Sequence, residues 1–246
     1  MKPFGPIRLA SPVSILMPVC NEAGIIEAVI EEWVEDVIQH LPACSELLIE
    51  EAASTDGTRE VLTRLSEKYP FMRVNYRDRK DGFANAARRL YREARCPWLF
   101  FTDSDGQYVA KNFWILAQFM DAYDYIRGAK AGRKDPLGRR FASMIFNKIV
   151  HFLFVNEFAD LNSAFHLIRK EVIDDLLPEL KSMPTLINTE LLLRAKLSNY
   201  LIKECYVMHR IRRFGTSKGL PPYRFFFDSI GAIRGLYDIK ASYRRE

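Results

Sequence analysis

Cysteine is scarce in this chain of 246 residues. The four present, Cys20, Cys44, Cys96 and Cys205, are scattered and form no CxxC pair. That excludes a disulfide framework and a zinc cluster, and reads as reduced thiols in a cytosolic protein. Long hydrophobic runs are missing as well. The longest candidate, FASMIFNKIVHFLFV, is interrupted by Asn147, Lys148 and His151, short of the roughly 20 apolar residues that a membrane-spanning helix needs. The opening MKPFGPIRLASPVSILMPV has an apolar part too short and too marked by proline for a secretory signal. There is no internal repeat, low-complexity stretch or obvious linker. What remains, 48% hydrophobic and 27% charged residues, is the composition of a globular protein with a sizeable core.

Net charge is modest at +5 but unevenly placed. Residues 210–246 hold nine Lys/Arg against three Asp/Glu, a net of +6, so the first 209 residues sum to −1. A basic tail of this kind either solubilises the chain or faces an anionic partner. No recognition motif accompanies it, so a nucleic-acid partner is not expected.

The first half alternates two periodicities. VSILMPV, ELLIEEA, MRVNYR and WLFFTDSD read as strands, the first a short apolar run suited to burial on both faces. Between them come helical patterns: Ile25, Val29, Trp33 and Val37 with Ile26, Ile30, Val34 and Ile38, then a helix from near Gly57, one over 83–95 and one near 111–122. This βαβα order predicts a mostly parallel sheet with helices on both faces, whose ligands sit at the carboxyl ends of strands. In the second half, YIRGAKAG, LNSAFHLIRK and LIKECYVMHR read as strands. LGRRFASMIFNKIVHFLF and NTELLLRAKLS, the latter with Asn188 as a possible cap, read as helices. One domain over residues 1–220 is expected, with Pro221-Pro222 marking a break before an amphipathic basic and aromatic helix over 221–246.

The stretch FFTDSDGQY ends an apolar run on two carboxylates one residue apart. A turn can bring both toward one hard cation, Mg²⁺ or Mn²⁺, which takes oxygen ligands and keeps positions open for phosphates. The same pair also serves to cap the following turn; its place at the end of the fourth strand favours the metal.

VSILMPVCNEAGIIEAVI, STDGT, FFTDSDGQY, DLNSAFHLIRKEV and RRFGTSKG occur in that order across roughly residues 12–220. Together they resemble a family 2 glycosyltransferase of the α/β GT-A fold, in the branch of dolichyl-phosphate mannose synthases and bacterial polyprenyl-phosphate sugar transferases. The resemblance implies that Pro18, Asn21, Glu22, Glu51, Asp81 and Asp103 line the pocket for a nucleotide-diphosphate sugar, and that Asp103, Asp105 and Gln107 form the metal site. It implies that Arg133 and Arg139, with Arg140, hold a polyprenyl phosphate, and that Arg212 and Lys218 lie on a mobile loop closing over the donor diphosphate, with Gly215 permitting the movement. The same resemblance implies that Asp160 orients acceptor or sugar, and it places Glu190 where glycan-extending relatives have a base; the alternative is a carboxylate that favours a helix start.

Four departures from the family pattern stand out. Glu51 takes the place of an Asp but can still accept hydrogen bonds from ribose or base, Ala52 and Ala53 replace the second Asp and the Gly, and Ala164 and His166 replace a Gly and an Arg. Phe83 stands where a Lys is common and reads as a packing residue. The expected activity is inverting, metal-dependent sugar transfer to a polyprenyl phosphate, by a protein peripheral at the cytoplasmic membrane face. The rivals are extension of a glycan at a hydroxyl, and a degenerate domain that binds without catalysis.

Overall fold

The computed structural model describes residues 5–130, 148–154, 158–211 and 222–243, with side chains of the last helix from Gly231 onward. Its elements are β1 (Val13–Val19), α1 (Ile26–Asp36), β2 (Glu46–Ala52), α2 (Thr58–Lys68), β3 (Met72–Arg77), α3 (Phe83–Glu93), β4 (Trp98–Phe101), α4 (Phe113–Ala117) and β5 (Tyr125–Lys130). They continue with α5, described over 148–154, then β6 (His166–Arg169), α6 (Lys170–Leu176), α7 (Ile187–Leu197), β7 (Ile202–Val207) and α8 (Pro222–Tyr243).

Seven strands make one sheet in the order β3-β2-β1-β4-β6-β5-β7. Every described pairing is parallel except the two made by β6. Apolar strand runs are explained by burial on both faces. Ile15, Met17 and Phe100 point into one core with Trp33 and Phe113. Their neighbours Leu16, Leu99 and Phe101 point into a second with Leu90, Tyr91 and Leu192. The chain direction across the sheet reverses about β1, between β2 and β4. Such a switch point leaves a crevice at the strand carboxyl ends.

Several boundaries differ from the sequence reading. β4 stops at Phe101, so both aspartates lie beyond the strand, and the helix expected near 111–122 is a 3₁₀ turn at Ala110–Asn112 followed by five α residues. Asn188 is no cap: α7 begins one residue before it. Every residue of that helix from Ile187 to Ala195 is buried, so packing rather than a solvent-facing cap sets its start. The strand expected in LNSAFHLIRK is confined to His166–Arg169, because Ser163 Oγ turns the chain by bonding Gly128 O and the Phe165 N–H. The final helix packs on the domain through Ala232, Leu236 and Ile239, and Gly235 lies so close to Ser182 O that a Cβ would sit 2.5 Å from it.

Candidate active site

Two loops meet at the carboxyl ends of β1 and β2. Asn21 adopts φ 53°, donates its N–H to Ser54 Oγ (2.9 Å) and accepts from Thr55 N with Oδ1 (2.8 Å). Glu22 N–H reaches Thr58 Oγ1 (2.9 Å) and Ala23 N–H reaches Asp56 Oδ2 (3.1 Å). The NEA and STDGT stretches are thus one stitched unit, with Pro18 in the last turn of β1 opposite Glu50. Burial raises the Asp56 carboxyl, but hydrogen bonds from Thr58 and Ala23 outweigh it and hold the group below its ordinary value.

Glu51, expected to face ribose or base, is enclosed by its own loop. It is fully buried; Oε1 accepts from Ser54 N (2.6 Å) and Oε2 from Arg59 Nε (2.9 Å). A carboxylate removed from water needs such partners, and having them inside the loop it does not present its oxygens to a ribose or base. Arg59 borders a cleft of about 380 Å³ between the Ala53–Gly57 turn and Arg77 and Asp78 at the end of β3. A larger hollow, about 660 Å³, lies at the opposite, amino end of the sheet between Arg8–Ala10 and His40–Pro42, away from these groups.

Asp81 is exposed and held by both terminal nitrogens of Arg89 (2.5 and 3.0 Å), which lowers its pKa. Arg89 Nε and Arg77 Nε converge on Oε1 of the buried Glu50 (2.5 and 2.7 Å). Phe83, next along, sets its ring edge-on to Phe101 at 5.9 Å, the packing role expected of it.

The loop that follows β4 carries the two aspartates, both half-buried. It leaves the strand beside β1, with Thr102 N–H on Leu16 O (3.0 Å). Asp105 Oδ1 accepts the Gln107 N–H (3.1 Å) across Gly106. That glycine sits at φ 69°, where a Cβ would stand 2.9 Å from Ile25 Cδ1. Gln107 donates Nε2 to Arg210 O (3.1 Å), so its amide oxygen is the donor it can give a cation. Tyr108 is buried, pairs with His209 in a β-bridge and lies 3.3 Å from Ser163 Oγ. Burial foremost, then the Asp103 charge, pushes its phenol well above the ordinary value. Among the described residues no group of three His, Cys, Asp or Glu converges on a point. A divalent ion here would take the two carboxylates and complete its shell with ligand oxygens and water, a hard-oxygen set that fits Mg²⁺ or Mn²⁺.

Asp160 is 3% exposed, in a loop fastened from below. Glu204 accepts the N–H groups of Ala159 and Asp160 (2.8 and 3.3 Å), and Arg127 Nη2 donates to Leu161 O (3.0 Å). Arg127 is fully buried and went unnoticed in the sequence, where the signal was a lone arginine inside an apolar strand. It is the register partner of His166, the residue standing where relatives have an arginine. His166 stacks on Phe101 and meets Tyr91 Oη at 2.9 Å. Burial, then the Arg127 charge, pushes it down to about 3, so the imidazole is neutral.

Glu190, expected as a base or a helix-start carboxylate, is enclosed by its own surroundings. Its oxygens accept the N–H groups of Lys181, Ser182 and Met183 (3.1, 3.0 and 2.8 Å) and Arg194 Nε (3.0 Å). It is fully buried and holds the 181–183 turn to the helix, the arrangement of a strut. Arg133, Arg139, Arg140, Arg212, Gly215 and Lys218 lie outside the described residues.

The chain is 26% identical over 204 residues to Glycosyltransferase AglD of Haloferax volcanii, covering 78% of this chain and 32% of that protein. It is 25% identical over 217 residues to undecaprenyl-phosphate 4-deoxy-4-formamido-L-arabinose transferase of Pectobacterium carotovorum, covering 84% and 62%. The chain therefore spans about a third and about three-fifths of these relatives. Glucosyl-3-phosphoglycerate synthase from Mycobacterium tuberculosis, solved with Mn²⁺, UDP and glucosyl-3-phosphoglycerate, superposes with a TM-score of 0.70 at 18% identity, over 94% of this chain and 81% of that one, so the fold is GT-A. Residues 14–177 match the profile described as Glycosyl transferase family 2; the chain belongs to that family.

Proposed function

We propose that the chain moves a sugar from a nucleotide diphosphate to a polyprenyl phosphate, with a divalent cation held by Asp103 and Asp105. The observation that carries this reading is the Asp103–Gln107 loop, set at the switch point of a parallel sheet beside the stitched Asn21–Thr58 unit. A bound cation would neutralise charge on the leaving diphosphate. Asp103 and Asp105 orient it, and the Asn21–Glu22 and Ser54–Thr58 loops wall the nucleotide side. A phosphate oxygen of the acceptor attacks the anomeric carbon from the face opposite the diphosphate. The new C–O bond forms as the old one breaks, so the configuration inverts.

A phosphate monoester is already anionic near neutral pH, so no side chain has to remove a proton. That accords with a Glu190 that is fully buried and accepts four hydrogen bonds. The acceptor phosphate needs cations instead, and the resemblance assigns that part to Arg133 and Arg139. A relative named for an undecaprenyl-phosphate sugar transferase supports the lipid acceptor. No helix among the described residues is long and apolar enough to cross a membrane. The lipid in that relative's name is what supports placing this chain's reaction at a membrane surface, where such a lipid presents its phosphate.

The test is a panel of UDP- and GDP-sugars with Mn²⁺ or Mg²⁺ and a short polyprenyl phosphate, read by extraction of labelled lipid, with 3-phosphoglycerate and an oligosaccharide as alternative acceptors. Labelled lipid that disappears without metal and in Asp103→Ala is the expected result. Label appearing only in an alternative acceptor would overturn the lipid reading.

A further inference from the structure

We infer that Glu32 and Arg210 are a positioning pair that sets the shape of the Asp103–Gln107 loop for its cation, an inference that rests on the metal reading above. Neither residue belongs to the stretches that carry the family resemblance, and Glu32 lies two turns into α1, well below the loops that wall the nucleotide.

One carboxylate holds two pieces of chain together. Glu32 Oε1 accepts the backbone N–H of Ala110 (3.0 Å), which closes the aspartate loop, and Oε2 accepts Arg210 Nη1 (2.6 Å). Arg210 in turn brackets Gln107 from the main chain. Its N–H donates to Gln107 O (2.7 Å) and its carbonyl accepts Gln107 Nε2 (3.1 Å). Asn112 Nδ2 to Met208 O (2.8 Å) and the Tyr108–His209 bridge extend the same seam. On the other side Gly106 lies so near Ile25, just before α1, and Val29 within it that a Cβ would stand 2.9 and 3.3 Å from them. The loop is thus wedged between a helix and the run after β7, and Glu32 is the side chain that ties both walls.

The chemistry explains why such a tie matters. Two aspartates on a turn bind a small cation well only if the chain holds both in place before the ion arrives. β4 has ended at Phe101, so strand pairing does not do this. A pair with 26% and 36% of its side chains exposed contributes little to global stability, but a loose loop must be ordered by the ion. Outer partners of metal ligands typically carry ten- to hundredfold in metal affinity.

The test measures binding of UDP and of GDP by calorimetry, with and without Mn²⁺, in the full chain and in Glu32→Gln, Arg210→Met, Arg210→Lys and Asp103→Ala. Glutamine keeps an acceptor for Ala110 but turns an amide donor toward the guanidinium. The expected result is a loss of roughly tenfold in the Mn²⁺-dependent gain in nucleotide affinity for Glu32→Gln and Arg210→Met. Metal-free affinity and Tm should stay close to those of the unaltered chain, with partial recovery in Arg210→Lys. If Asp103→Ala abolishes the gain while Glu32→Gln and Arg210→Met keep it, the positioning pair is wrong and the metal site stands. A fall in metal-free affinity in step with Tm would make the pair a plain structural contact and overturn the inference. If the unaltered chain shows no Mn²⁺ gain with either nucleotide, the metal reading fails and the inference with it.

Discussion

Replacing Glu190 with glutamine separates a strut from a base. The carboxylate is fully buried and takes three main-chain N–H groups and Arg194 Nε. Glutamine keeps one acceptor oxygen but points an NH₂ group at donors. Arg194, itself 3% exposed, keeps only Glu179 and Ser182 Oγ. Breaking a buried ion pair from one side costs about 3–5 kcal/mol, and in a protein of this size each kcal/mol lowers Tm by roughly 2–4 °C. A fall of about 6–20 °C is expected, with metal-assisted nucleotide binding at 10 °C retained by the folded fraction. Differential scanning calorimetry and titration at low temperature measure the two quantities. A Glu190→Gln protein that melts with the unaltered chain yet has lost sugar transfer would refute the strut and restore the residue as a base.

Three further outcomes are expected. Ala53 holds φ 52°, a left-handed conformation that costs an L-residue about 1 kcal/mol. Ala53→Gly should therefore stabilise the fold by up to about 1 kcal/mol in urea titrations, and destabilisation would contradict the strain. His166 has its pKa pushed down to about 3 in the folded chain, against an ordinary 6.5. The unfolded chain therefore takes up a proton first on acidification. Stability is full above pH 6.5 and declines by about 1.4 kcal/mol per pH unit toward 3, and His166→Gln should flatten that slope between pH 6.5 and 4. Phe152 is 84% exposed on α5, which Lys240 of α8 joins through Leu153 O. If this face meets lipid, the chain should sediment with anionic vesicles and release at high salt, whereas Phe152→Glu stays in the supernatant; equal sedimentation would move the contact elsewhere.

The repeating pattern of short apolar runs and 3.6-residue stripes already determined the alternating elements and the parallel sheet. β1, β2 and β3 begin and end where VSILMPV, ELLIEEA and MRVNYR do; only the first is a nearly continuous apolar run, and β3, at the sheet edge, alternates Met72, Val74 and Tyr76 with Arg73, Asn75 and Arg77. The aspartate pair was legible for a related reason: charge at the end of an apolar run has no place in a core.

Only the tertiary structure decided what each carboxylate does. Glu22, Glu50, Glu51 and Glu190 look alike in one dimension. Whether a carboxylate faces a cleft or is clasped inside depends on arginines brought from elsewhere. Arg59 comes from α2, Arg77 from β3, Arg89 from α3 and Arg194 from one turn further along α7. The same holds for Arg127 beneath the Asp160 loop and for Glu32 against Arg210, 178 positions apart. Desolvation makes such pairings obligatory; Glu190 and Arg194 meet by the i,i+4 spacing of one helix, but the partners of Glu50 and Glu32 are chosen by how distant elements pack, which no local pattern encodes.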